Sequence, residues 1–432
     1  MRINTCLINI QKQLLTTLFF IFPASVFIIA GYVKLSLFEQ YHYIYILILI
    51  VMFILSFIKN DIIKIFLICS WFFLILQPIY FYYEVNFTTK KFPPNFSAQA
   101  VTNNIYGLDS KIDITYDKFG WRSTGHKIQN LRDLEKSELI IFQGGSTFEQ
   151  SFIDDKKTSS GLLQSYLYKT KKKIHVINSG ISGFRIFQGI LGMKELNNLI
   201  PNDTNIIYVH MWGANDWNWA LRSILAQPNR LSNPLTTGNS LTFIDTLNPQ
   251  NFLLTDIARL IRSLFYRSIN SKLVYDFDLQ HSEVFNTYEN KEKFILEEFQ
   301  KNKIIRWYEE VVQKQINTCQ ERAGIKCIFL DQPTAYYEGN FNDKSFLNTL
   351  WFTPSYSSSA LTPKGLIDYS KMFNGRLKKI INTSNCKDCY FIEASRNLKN
   401  PKLFYDDVHF NNHGAKEVYN ILKSFLIDKK FI

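Results

Sequence analysis

Apolar and polar positions divide the chain into two unlike parts. Residues 14–33, 40–58 and 65–83 are runs of twenty, nineteen and nineteen residues without a charge, separated by short polar links. A helix needs about 20 apolar residues to cross a hydrocarbon core ~30 Å thick. The pattern therefore predicts a membrane anchor over residues 1–83 with three transmembrane helices. Pro23 and Pro78 fall inside two of these runs, which membrane helices tolerate. Tyr41, Tyr43 and Tyr45, and then Tyr80, Tyr82 and Tyr83, stand at run ends as interfacial aromatics do. A cleaved signal peptide would have a shorter apolar stretch and a small-x-small site leading into polar sequence. No such site precedes the second run.

Past residue 83 the pattern changes. Residues 84–110, with Pro93-Pro94 and several Asn and Thr, have no helical period and read as a connector. Five short apolar runs of strand length follow, each entering a Gly, Asn, Asp or Pro turn. They are Leu139-Ile140-Ile141-Phe142, Ile174-His175-Val176-Ile177, Ile206-Ile207-Tyr208-Val209, Cys327-Ile328-Phe329-Leu330 and Tyr390-Phe391-Ile392. Helical patterns fill the gaps around 158–170, 186–199, 302–321, 363–381 and 413–427. Strands apolar on both faces suit a parallel sheet covered by helices. The predicted fold class is α/β: a three-layer α/β/α sandwich on a parallel five-stranded sheet, occupying residues 111–432. The stretch at about 220–300 is longer than such a sandwich needs and reads as an insertion near the mouth of any site.

Composition adds little to the body and much to the contrast. The apolar fraction of 46% and charged fraction of 20% exclude a disordered or collagen-like chain. Residues 1–83 hold five Lys/Arg and two Asp/Glu, so most of the formal net charge of +12 lies in the body. Lys171-Lys172-Lys173 is the only run of three basic residues, and no aromatic-basic platform accompanies it, which argues against nucleic acid. Arg2, Lys12, Lys59 and Lys64 outnumber Lys34, Lys90 and Lys91 across three spans. The positive-inside rule then puts the N-terminus in the cytoplasm and the body outside. Cys319, Cys327, Cys386 and Cys389 allow three disulfide pairings, a zinc site or free thiols, and the spacing does not choose among them.

In a parallel sheet, ligands bind beyond the carboxyl ends of the strands. The first three runs exit into Gln143-Gly144-Gly145-Ser146-Thr147, Asn178-Ser179-Gly180-Ile181-Ser182-Gly183 and Trp212-Gly213-Ala214-Asn215-Asp216. After the fifth comes Tyr405-Asp406-Asp407-Val408-His409-Phe410-Asn411-Asn412-His413-Gly414. Singly these are ordinary turns. The first lacks the last glycine of a G-x-S-x-G elbow, with Phe148 in its place, and has no Gly-Lys-Ser/Thr ending for a phosphate. In order, Ser146, Gly183, Asn215 and the Asp406-x-x-His409 pair resemble the four signature blocks of the SGNH hydrolases, the GDSL esterase/lipase superfamily, over roughly residues 115–428. Upstream, Phe119-Gly120-Trp121-Arg122 is similar to the G-F-R element of membrane-attached members. The first block departs by reading Gly-Gly-Ser rather than Gly-Asp-Ser. It departs again after the serine, where Thr147-Phe148-Glu149-Gln150 replaces a small or glycine-rich continuation.

The resemblance implies roles. Ser146 would be the nucleophile, His409 the base that takes its proton, and Asp406 the acid that holds the imidazole. The oxyanion hole would be the N–H of Ser146, the N–H of Gly183 (Gly180 being the less favoured alternative) and the side-chain amide of Asn215. No cofactor and no metal are implied. A different reading pairs His409 with His413 at i, i+4, and with Asp406 or Asp407, as metal ligands, but Phe410 stands where H-E-x-x-H has Glu. Ser182 has no implied base. Trp212, Trp217 and Trp219 around the third block read as core or as a sugar-stacking wall.

These features lead to a multi-pass membrane-anchored serine ester hydrolase with an extracytoplasmic domain. Its expected partners are the membrane and an acylated glycan or lipid of the cell envelope, whose O-acyl groups, such as O-acetyl, it would cleave. An O-acyltransferase that passes the same acyl group to a sugar hydroxyl is the alternative. A non-catalytic glycan-binding or assembly module is the competing class, although a binder has no need to keep Asp406 and His409 together.

Overall fold

The computed structural model describes residues 95–102, 105–125, 137–170, 173–226, 273–277, 288, 291–347, 350, 355–356 and 359–432. All of them fall in one unit, residues 89–237 with 262–432. No helix among the described residues is long and apolar enough to cross a membrane. The three predicted spans at 14–33, 40–58 and 65–83 lie outside the described residues.

In chain order the elements are β1 (Ser97–Thr102), β2 (Lys111–Thr115), β3 (Glu138–Gly144), α1 (Ser146–Glu149), α2 (Ser159–Lys169), β4 (Ile174–Asn178), α3 (Ile186–Leu199), β5 (Asn205–Met211) and α4 (Ala214–Ala226). Within the long insertion lie β6 (Leu273–Phe277) and β7 (Glu292–Phe294), and after them come α5 (Glu298–Gln320), β8 (Ile325–Leu330), α6 (Lys344–Leu347), β9 (Ser355–Tyr356), β10 (Ser359–Leu361), α7 (Pro363–Thr383), β11 (Cys389–Ile392) and α8 (Asn412–Asp428). The central sheet has the order β11-β8-β5-β3-β4, and every pairing in it is parallel. These are the five runs expected, and the intervening helices start and end close to the predicted bounds.

Burial explains why these runs are strands. In β3, Leu139, Ile140, Ile141 and Phe142 are all fully buried, so both faces of the strand are covered and alternation is lost. Successive residues of β8 point to opposite layers. Cys327 is disulfide-bonded to Cys319 of α5, whereas Lys326 lies against Phe431 beyond α8. Helices α3, α5 and α7 pack together on one face, and α2 and α8 on the other. The capping is equally local: Thr158 and Thr362 accept from the N–H three residues on at the starts of α2 and α7, and Asn411 does so for His413 and Gly414 at α8.

Two features differ from the expected layout. The segment read as a connector contains β1, which pairs antiparallel with β2 and parallel with β6. Its alternation is carried by Ala98 and Ala100, buried but small, so the apolar signal in Ser97–Thr102 is faint. The insertion does more than extend a loop, because β6 returns from it to this second sheet. The cysteine pairing left open by spacing is Cys319–Cys327 and Cys386–Cys389.

Candidate active site

The sheet order reverses between β3 and β5, and a crevice forms at the carboxyl ends of such strands. Ser146 follows β3 after the single residue Gly145, as the first residue of α1, and Asn215 follows β5 near the start of α4. Close approach of these two exits explains the first glycines of the block. A Cβ on Gly145 would lie 2.5 Å from Asn215 Nδ2, and one on Gly144 would lie 2.6 Å from the Met211 carbonyl. The departure from Gly-Asp-Ser is therefore matched by Asn215 filling the space beside residue 145.

Ser146 Oγ lies 2.6 Å from His409 Nε2, and His409 Nδ1 lies 2.6 Å from Asp406 Oδ2. A carboxylate only accepts, so Nδ1 carries the ring proton, and Nε2 presents its lone pair to the serine hydroxyl. The other oxygen of Asp406 accepts from the N–H groups of Val408 and His409 at 2.8 and 2.7 Å. The same carboxylate thus folds the loop and orients the ring. Tyr405 stacks on the imidazole, 5.5 Å between centroids and 8° between planes. Asp407 accepts from Tyr336 Oη at 2.7 Å through its side chain and from Ala335 N–H through its carbonyl. Burial pulls the His409 pKa down, but the charge and hydrogen bond of Asp406, with Asp407 and Glu149 adding, leave it raised above the ordinary value.

Gly183 is exposed, has φ +83°, and a Cβ there would meet nothing within 4 Å. It is the third residue of a turn closed by Phe184 N–H to the Ile181 carbonyl at 3.1 Å. A positive φ at that position is the signature of a type II turn. Gly180, the alternative, is packed inward: a Cβ would lie 2.6 Å from the Glu149 nitrogen. Asn215 Nδ2 donates to the Phe184 carbonyl at 2.9 Å, which joins the second and third blocks. Asp216 adds a second tie by accepting from Ile186 N–H; burial pushes its carboxyl up to about 7, against the pull of Arg185.

The metal reading of the last block loses its geometry. Both ring nitrogens of His409 are engaged, and His413 is exposed at the start of α8. A different group, His210 with Cys319 and Cys327, brings ligand atoms within 4.8 Å of one another. Both sulfurs are spent in the disulfide, and burial pushes the His210 imidazole down to about 3. Trp212 and Trp217 are core residues, whereas Trp219 is half-buried between Trp307 and the Arg185 guanidinium.

Some participants were not foreseen. Arg122 of the upstream element is buried and ion-paired to Asp155 at 2.6 Å, and its N–H reaches the Asn178 carbonyl. Glu149, noted above only as a departure, has no exposure at all and accepts from Tyr116 and Ser182. The one signal for it was a carboxylate sitting one residue after an apolar Phe148 inside a motif.

No family model matches the chain, and no curated protein does. Solved structures do resemble it. A carbohydrate acetylesterase family member from Sinorhizobium meliloti is 12% identical over 67% of this chain and 97% of that one, with a TM-score of 0.34. A lipolytic protein of the G-D-S-L family from Veillonella parvula is 8% identical over 67% and 97%, TM-score 0.34. The psychrotrophic esterase EstA from a Pseudoalteromonas species is 12% identical over 68% and 99%, TM-score 0.32.

Proposed function

We propose that the chain is a serine ester hydrolase of SGNH type that works through an acyl-enzyme. The observation that carries this reading is the continuous contact series Ser146 Oγ, His409, Asp406, at 2.6 Å for each link, at the carboxyl ends of parallel strands. Ser146 Oγ attacks the ester carbonyl as His409 Nε2 takes its proton. The resulting imidazolium is stabilised by Asp406, and the oxyanion accepts from the N–H groups of Ser146 and Gly183 and from the amide of Asn215. His409 then gives the proton to the leaving alkoxide, so the C–O bond breaks and the acyl group stays on the serine. Water, deprotonated by the same histidine, releases the acid. Every step uses side chains or backbone of this chain.

The substrate we propose is an O-acyl ester, such as O-acetyl, on an envelope glycan or lipid. The three uncharged runs of residues 1–83 support a site held at a membrane, and the small Lys/Arg bias supports a body on its outer side. Labelling of the purified full chain with a fluorophosphonate tests the chemistry. Ser146 is expected to be labelled and Ser146→Ala to be silent. A folded wild-type chain that takes no label refutes the enzyme, and label that survives the substitution refutes the site. Incubation with an acyl donor, with and without sugars, separates hydrolysis from transfer: product formed only when a sugar is present would make the chain an acyltransferase.

A further inference from the structure

We propose that Glu149 is a positioning residue of this site, whose buried carboxylate holds the 181–184 turn so that the Gly183 N–H faces the reacting carbonyl. The inference rests on the reading of Ser146 as nucleophile and extends it to a residue that touches neither substrate nor triad.

Glu149 closes α1, the turn that Ser146 opens, and its side chain is completely buried. One carboxylate oxygen accepts from Tyr116 Oη at 2.5 Å. The other accepts from the Ser182 N–H at 2.5 Å and from the Ser182 hydroxyl. A buried carboxylate is costly unless its lone pairs are satisfied. Three converging donors satisfy it, and a carboxylate suits them because it brings no N–H of its own to the meeting point.

The position of those donors gives the arrangement its consequence. Ser182 is the residue before Gly183 in the type II turn, and the peptide between them carries the Gly183 N–H. Types I and II differ mainly by a flip of that central peptide, which reverses the direction of its N–H. Glu149 holds Ser182 by its backbone N–H, which belongs to the preceding peptide, and by its hydroxyl, and so fixes the residue on which the Ser182–Gly183 peptide is hinged. The grip has a fixed base. Tyr116 packs below the Arg122 guanidinium, 5.8 Å from its ring, and Arg122 is itself anchored on Asp155. The upstream Phe119-Gly120-Trp121-Arg122 element thereby reaches the oxyanion turn through Tyr116 and Glu149.

Glu149 also acts on the base through space. The ionisable groups around it are Tyr116 in direct contact, Arg122 beyond that ring, Tyr405, and His409 with Asp406 and Asp407 behind it. Its negative charge is one of those that favour the protonated imidazole of His409. Removing the charge shifts that imidazole toward the neutral, basic form at lower pH.

The test is Glu149→Gln, of nearly the same shape, with Ser182→Ala as a second variant that keeps Glu149 and the backbone N–H bond. Turnover of p-nitrophenyl acetate is followed from pH 5 to 9, with the fluorophosphonate labelling rate of Ser146 alongside. Loss of a whole oxyanion donor costs about 100- to 1,000-fold, so misdirecting one is expected to lower kcat by about 10- to 100-fold at little change in KM. The acid limb of Glu149→Gln should move to lower pH, which a mere loss of folded protein would not produce. Ser182→Ala should lower kcat less and leave the limb in place. A folded Glu149→Gln with wild-type kcat and an unmoved limb overturns the proposal. If that variant does not fold, a Ser182→Ala chain with wild-type kcat overturns it. Wild-type chain that takes no label instead overturns the underlying reading of Ser146, so the two failures are distinct.

Discussion

Replacing Asp406 with Asn changes one atom and reverses the direction of one hydrogen bond. Asp406 Oδ1 would keep both backbone donors, Val408 at 2.8 Å and His409 at 2.7 Å, so the loop should hold its shape. At the other position an amide N–H would face His409 Nδ1 across 2.6 Å, where the carboxylate now accepts. Two N–H groups cannot share that gap, so the imidazole proton moves to Nε2 and points at Ser146 Oγ. The serine then faces a donor rather than a base. A triad in the wrong tautomer loses about 10⁴-fold in turnover, equivalent to roughly 5.4 kcal/mol at about 1.36 kcal/mol per tenfold. The assay is p-nitrophenyl acetate hydrolysis by wild type and Asp406→Asn at matched thermal midpoints. The acid limb should also move down, because Asp406 is the largest of the influences holding the His409 pKa up. A folded Asp406→Asn within about tenfold of wild-type turnover would refute the assignment of Asp406 as the group that sets the tautomer.

Other perturbations separate chemistry from architecture. Asn215→Ala removes the proposed side-chain oxyanion donor and should cost about 100- to 1,000-fold in kcat with KM nearly constant; an equal rise in KM would make Asn215 a binding group instead. Arg122→Met leaves Asp155 without its partner and should destabilise by about 3–5 kcal/mol in urea unfolding, the cost of breaking a buried pair from one side. The double change Cys319→Ala with Cys327→Ala opens a short loop and should cost about 2–3 kcal/mol, and a reductant should no longer shift the midpoint contributed by this bridge. The Asp406–His409 interaction should show the sign of a raised histidine. Its contribution is fully present below the unfolded value of about 6.5 and fades as pH rises through the folded one. The stability difference between wild type and Asp406→Asn should accordingly shrink from pH 6 to pH 9, and a difference that grows would contradict it.

The central sheet was legible because its strands are buried on both faces. Ile206 to Val209 and Leu139 to Phe142 give unbroken apolar runs that an exposed element would not carry. The second sheet was not legible, for an equally physical reason. Its first strand buries Ala98 and Ala100, whose small side chains carry little hydrophobic signal, and its third strand arrives from an insertion more than 150 residues away in sequence. Pairing at that range leaves no local trace. The same holds for cysteine: spacing alone could not tell that α5 would lay Cys319 over the strand that carries Cys327.

The site divides along similar lines. Ser146 stands out in sequence as a reactive type at a strand exit, and Asp406 and His409 as reactive types close enough to share one loop just ahead of α8. The supporting residues do not stand out, since their partners are distant: Tyr116 and Ser182 lie 33 positions to either side of Glu149. In sequence Glu149 looks like a fault in the first block, a charge where a small residue is expected. In three dimensions it is where the upstream element, through Tyr116, the Ser146 turn and the 181–184 turn meet. A departure from a motif that is fully buried and fully hydrogen-bonded is therefore better read as a replacement of support than as a loss of function. Restoring a small residue at 149 should lower activity rather than raise it, because it would free the turn that carries Gly183.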